Sequence, residues 1–257
     1  MKITILTLFP EMFRDFLSTS IVNKAQLLNK VTFEIINIRD YADNKYKRID
    51  TPPVGGGPGM IMQVAPLVDA LKAAGAGHKV LLSPRGTIFN QGKAVSFSLK
   101  EHLVLICGHY EGVDERLKYY IDEEISLGDY ILTGGEIGAM AISDAVVRLI
   151  DGVINADSLY DESFNRHLLE YPQYTEPFDY NGYKVPQILY SGNHDAIRKW
   201  RLKQSLLLTY NKRPDLYKLH YKDKETMKLL EEALNDEIGD WEKEAIAKGH
   251  KYTKDKK

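Results

Sequence analysis

Two runs of the chain, KVLLS at 79–83 and LVLIC at 103–107, are apolar almost without a break and lack the alternation of a strand with one wet face. Strands of that kind are covered on both sides, as in a parallel sheet with helices above and below. Further strand-like runs at 3–9 and 31–38, with a fifth at 124–132, alternate with helical patterns at 11–28, 66–74, 93–101 and 136–150. The first part of the chain therefore reads as a set of βαβ-like units. After Gly152 the texture becomes polar, aromatic and turn-rich, and from Asn193 it is helical. The expected plan is an α/β domain over 1–154, a linker over 155–168 and a smaller helical domain over 169–257.

With 257 residues, 44% of them hydrophobic, the chain can bury one large core or a larger and a smaller one. The apolar start ITILTLF is broken by Pro10 and Glu11, and no apolar run reaches the roughly 18 residues a membrane span needs. The expectation is a cytoplasmic protein that does not cross a membrane. The one cysteine, Cys107, sits inside an apolar run and reads as a core thiol. The seven histidines show neither HxxxH nor HExxH spacing, so no protein-built metal site is expected.

A net charge of −2 argues against a chain that is basic all over. Its distribution is uneven. Between Arg198 and Lys218 stand seven basic residues (Arg198, Lys199, Arg201, Lys203, Lys212, Arg213 and Lys218) against one acid, Asp215. Trp200 and Tyr210 are interleaved with them, a pattern that suits phosphates with stacking partners.

The stretch VGGGPGM at 54–60 packs four glycines and a proline into seven positions. It is no phosphate loop, because Met60 stands where lysine would be required, and it lacks the spacing of a dinucleotide fingerprint. Three further glycine-bearing loops, at 83–86, 107–116 and 127–136, are expected at the carboxyl ends of strands, where open α/β sheets collect ligands. Few charged donors accompany them, so a compact adenosine-like ligand recognised by main-chain amides suits them better than a triphosphate.

GGGPGM at 55–60, GHYEGVDER at 108–116, GDYILTGGE at 128–136, PQYTEP at 172–177 and SGNHDAIRKWR at 191–201 together resemble the bacterial tRNA (guanine-N1-)-methyltransferases, the TrmD family. The motifs stand in family order over nearly the whole chain. The resemblance implies an α/β fold of the SPOUT class whose sheet carries a deep trefoil knot, with a helical C-terminal domain that grips tRNA. It implies a homodimer with active sites between subunits, and methyl transfer from S-adenosylmethionine to N1 of the guanosine immediately 3′ of the anticodon. Gly108, Tyr110, Glu111, Leu127, Gly128, Asp129, Tyr130, Ile131, Leu132, Gly134 and Gly135 match positions around the cofactor. Gly55, Gly57 and Gly59 match the loop beside the target guanine, and His194, Arg198 and Arg201 fall in the tRNA-binding motif. Arg148 matches an arginine that assists catalysis. The general base is a carboxylate before Ser163-Phe164: Glu162 holds the position where the family presents an aspartate, and Asp161, one step upstream, is the alternative. His109 replaces a frequent arginine, and Arg85 and Thr87 lie in a loop that usually reads differently. Whether a divalent ion such as Mg2+ assists is left open.

Overall fold

The structure is a computed structural model that describes residues 1–155 and 162–253. The chain forms two compact units, Met1–Ala156 and Asp157–Lys257. The first is built on five parallel strands, β1 (Lys2–Thr7), β2 (Thr32–Asn37), β5 (His78–Ile88), β6 (His102–Cys107) and β7 (Glu123–Ser126), in the order β2-β1-β6-β5-β7. A short ribbon of β3 (Asp50–Thr51) and β4 (Ile61–Met62) lies outside that sheet.

Burial explains the unbroken apolar runs. Ile3, Ile5, Val80, Leu103, Leu105 and Cys107 face one core, together with Ala139, Ile142 and Val146 of helix α5 (Glu136–Val147). Their strand neighbours Leu6, Leu81, Val104 and Ile106 face a second core, with Leu67, Ala70 and Leu71 of helix α3 (Val64–Ala74). Alternate residues point to opposite faces, so a sheet buried on both is apolar at most positions, and the buried Thr4 and Thr7 of β1 donate their hydroxyls to Glu34 and Glu136.

Three expectations change in detail. The pattern at 11–28 is not one helix but a 3-10 turn (Pro10–Phe13) followed by α1 (Arg14–Ser18) and α2 (Ser20–Leu27). The break falls at Thr19, which is extended; its hydroxyl and that of Ser18 both donate to the carbonyl of Asp15 and so compete with the helical ladder. The third strand continues through Pro84 to Ile88, and residues 83–86 form an irregularity inside it rather than a loop after it. The fifth strand stops at Ser126, not at 132. There the Ser126 hydroxyl accepts from Gly128 N at 3.2 Å and Tyr130 N donates to Gly128 O at 2.9 Å, which turns the chain out of the sheet.

The second unit is mainly helical: a long helix His194–Lys212, then Pro214–Leu219, Lys224–Leu234 and Asp240–Thr253. Asn193 caps the long helix by accepting from Ala196 N, and Asp223 with Thr226 forms a capping box for the third. Leu168, Leu206, Leu229 and Leu230 make one core, and Ile188, Ala196, Trp200 and Ala245 another. The turn-rich stretch also contains a hairpin, Asp179–Tyr180 with Tyr183–Lys184, around Asn181-Gly182.

Candidate functional site

A cleft of about 980 Å³ opens in the first unit along the carboxyl ends of β6 and β7 and the middle of β5, at residues 81–85. Its apolar side is set by Leu81, Leu82, Ile125 and Leu127, and its rim by the loops that leave β6 and β7. Those two loops are stitched together. Gly135 N donates to Gly108 O at 2.9 Å, His109 bridges Gly134, and a Cβ on Gly135 would stand 2.7 Å from Cys107 Cα. A third loop is tied in from the other side: Glu111 N donates to Met60 O at 3.1 Å, Met62 N to Gly112 O at 2.9 Å and Asp114 N to Met62 O at 3.0 Å.

Of the residues expected around a cofactor, Gly108, Tyr110, Glu111, Leu127, Tyr130, Ile131, Leu132, Gly134 and Gly135 all line this cleft. Gly128 and Asp129 do not line it; Gly128 makes the turn out of β7. The glycine-rich stretch borders the cleft through Val54. Gly55 and Gly57 face open space or one proline carbon and take φ of +95° and +132°, so they serve the turn rather than a close approach. Gly59 is different, because any side chain there would overlap Glu111.

Behind the loops lies a polar network that no sequence pattern announced. Glu136, in the first turn of α5 and only 3% exposed, accepts through Oε1 from the Thr7 hydroxyl at 2.8 Å, and Thr7 in turn accepts from Phe9 N at 2.9 Å. A carboxylate at a helix N-terminus is favoured by the aligned peptide dipoles, the one hint the sequence carried. Cys107 is fully buried, and that burial, reinforced by Glu136, drives its thiol well above the usual range. It is a core thiol and no nucleophile.

Arg148 lies elsewhere in the unit. It caps the carboxyl end of α5, whose 12 residues separate it from Gly135 by about 18 Å along the helix axis, and it does not line the cleft. Glu162 belongs to the second unit, and Asp161 lies outside the described residues. Among the described residues no group of three or more His, Cys, Asp or Glu converges as a metal site.

The basic stripe is not a uniform face. Lys203 is 5% exposed and donates to Glu237 O at 2.6 Å, with Glu242 Oε2 at 3.4 Å, so it is an interior group and not a phosphate ligand. Trp200, 4% exposed, is core rather than a stacking partner. Arg213 is closed in a double hydrogen bond with Asp215. His194, Arg198, Lys212 and Lys218 remain on the surface, and Arg201 lies over the Tyr171 ring at 4.7 Å. A helix must bury one face to fold, and sequence charge does not say which lysine that face takes.

The family described as tRNA (Guanine-1)-methyltransferase TrmD matches residues 1–219. A tRNA (guanine-N(1)-)-methyltransferase of Clostridium botulinum (strain Eklund 17B / Type B) is 52% identical over 234 residues, covering 90% of this chain and 98% of the relative. Proteins of the same name from Geobacillus kaustophilus (strain HTA426) and Dictyoglomus turgidum (strain DSM 6724 / Z-1310) are 50% and 51% identical, over 95% and 90% of this chain and 99% and 96% of their own lengths.

Proposed function

The chain belongs to the tRNA (guanine-1)-methyltransferase TrmD family and is an enzyme that methylates N1 of a guanine in tRNA; on that premise we propose that S-adenosylmethionine is seated in the cleft of the first unit. The observation that carries this reading is the stitching of three glycine-bearing loops around one cleft. The bare Cα atoms of Gly134 and Gly135 let the loops pack against His109 and Cys107, the main-chain groups that those loops leave along the cleft can reach an adenosine edge, and Leu82, Ile125 and Leu127 offer it an apolar bed. When bound, the sulfonium supplies an electrophilic methyl group with a neutral leaving thioether.

The protein must do the rest. Guanine N1 carries a proton and attacks poorly until a carboxylate removes it. Glu162 is that base in this proposal, with Asp161 as the alternative, and Arg148 offsets the charge that gathers on O6. The target base has to be splayed from its stack to meet them. The distance of Arg148 from the cleft of its own chain supports a homodimer in which the arginine of one protomer serves the cleft of its partner. The SPOUT class and its trefoil knot are proposed from the family motifs and from the interlocked loops at 108–112 and 127–135. Surface cations Arg198 and Lys218, with Arg201, are proposed to meet tRNA phosphates from the second unit.

Single-turnover methyl transfer to a tRNA transcript tests the proposal. Transfer should require the guanosine immediately 3′ of the anticodon, and Glu162→Gln should slow it by about 10² to 10⁴. Undiminished incorporation into a transcript with adenosine there would refute the target, and a large loss confined to Asp161→Asn would move the base to Asp161.

A further inference from the structure

Among the described residues three basic side chains line the cleft, Arg85, His109 and Arg116, and they differ in what they can offer a ligand. Arg116 is closed on Asp114 by two hydrogen bonds, Nε to Oδ1 at 2.9 Å and Nη2 to Oδ2 at 2.6 Å. His109 is held between rings, 5.1 Å from Phe9 and 4.9 Å from Tyr110. Arg85 is open to solvent, 60% exposed, and is carried on strand β5 rather than on a loop. Its Nη1 donates to Glu115 Oε2 at 2.9 Å and its Nη2 stands 3.6 Å from Glu124 Oε1, which leaves part of a five-donor guanidinium for a further acceptor. Glu115 is 58% exposed, and its other oxygen is 3.4 Å from Lys118 Nζ.

Resting on the reading that the cleft seats S-adenosylmethionine, we infer that the Arg85–Glu115 pair is the clamp for the amino-acid end of that donor, and so sets its preference for ligands that carry this end. The amino-acid end is a zwitterion, a carboxylate and an ammonium on one carbon. An arginine–glutamate pair is its complement: the Arg85 fork takes the carboxylate and Glu115 the ammonium. The exchange costs little, because an exposed ion pair contributes little to the free protein, whereas a fork on a carboxylate inside a cleft is among the stronger polar contacts. Glu124, with its side chain 24% exposed, keeps a hold on the guanidinium while Glu115 turns to the ligand.

Calorimetric titration of the full chain with two thioether ligands decides the matter. S-adenosylhomocysteine carries the zwitterion; 5′-methylthioadenosine has the same adenosine and a thioether but no amino-acid end. Arg85→Gln should weaken the first by about 10- to 100-fold, the usual loss for a charge-assisted contact, and leave the second unchanged. Glu115→Gln should act in the same direction, again on the first ligand alone. Unchanged binding of 5′-methylthioadenosine also reports that each variant is folded. Equal loss for both ligands would overturn the clamp and make Arg85 a prop of the cleft wall, and no loss for either would overturn it as well. If the unsubstituted protein binds neither ligand, the placing of the donor in this cleft fails first and the clamp falls with it.

Discussion

Replacing Gly135 with alanine adds one carbon where the β6 and β7 loops cross, 2.7 Å from Cys107 Cα and 3.1 Å from Gly108 N. Carbon atoms in ordinary contact stand about 3.5–4.0 Å apart, so one backbone has to retreat by about 1 Å. Neither can do so freely. Cys107 ends a strand registered with Leu82 of β5, and Gly135 accepts from Ala139 N at 2.8 Å as α5 begins. The backbone of Gly135 is itself unstrained, with φ −79° and ψ −7°, so the whole effect is steric. Overpacking of a rigid site costs about 1–3 kcal/mol, and loss of the Gly135–Gly108 hydrogen bond about 1 kcal/mol more. The first unit should therefore lose about 2–4 kcal/mol, and its melting midpoint should fall by about 5–15 °C. Both tryptophans, Trp200 and Trp241, lie in the second unit, so their fluorescence serves as an internal control while hydrogen exchange of β6 amides reports the first. Gly138→Ala in the same helix is the steric control. Its nearest neighbour would be Leu82 Cδ1 at 3.3 Å, the movable end of a side chain, and the gain in helix propensity of about 1 kcal/mol offsets it. Gly135→Ala with undiminished β6 protection and undiminished donor affinity would refute the close crossing and its part in shaping the cleft.

Lys203→Ala leaves Glu242, whose side chain is 10% exposed, without its ammonium partner in the interior. The expected cost is about 3–5 kcal/mol in the second unit, read as an earlier tryptophan transition in urea with donor binding unchanged; an unshifted transition would mean the pair is not buried. Glu123 is drawn in opposite directions: burial works to raise its carboxyl, and Lys93 at 2.7 Å with His78 at 2.6 Å more than reverses that, so it titrates below 4.5. A lowered carboxyl contributes stability that is present above pH 4.5 and is lost as pH falls through its folded value. Glu123→Gln should lower stability at pH 7 by about 1 kcal/mol and flatten the acid limb of the first unit, and identical acid limbs for both proteins would refute it.

Much of the first unit was legible in order. The runs at 79–83 and 103–107 announced two-sided burial because a strand with no wet face takes a polar side chain only where a hydrogen-bond partner is supplied, as for Thr4 and Thr7 of β1, and helices α3 and α5 followed from their apolar spacing. Boundaries were less legible. Pro84 looked like an end, yet β5 runs past it because the residues around it fall in a bulge where no ladder hydrogen bond is asked of its nitrogen. The glycine motifs marked the cleft loops, but their letters do not separate Gly55, which makes a turn over open space, from Gly135, which lies against Cys107. Local sequence determines which residues can turn, pair or span; which of them meet is decided by chain segments far apart in sequence packing at one place. The same division holds in the second unit. Charge counting placed Lys203 and Trp200 in a phosphate-binding stripe, and the helix turned both inward, because the face it buries is chosen by Leu168, Leu229 and Ala245 on other segments and not by its own residues.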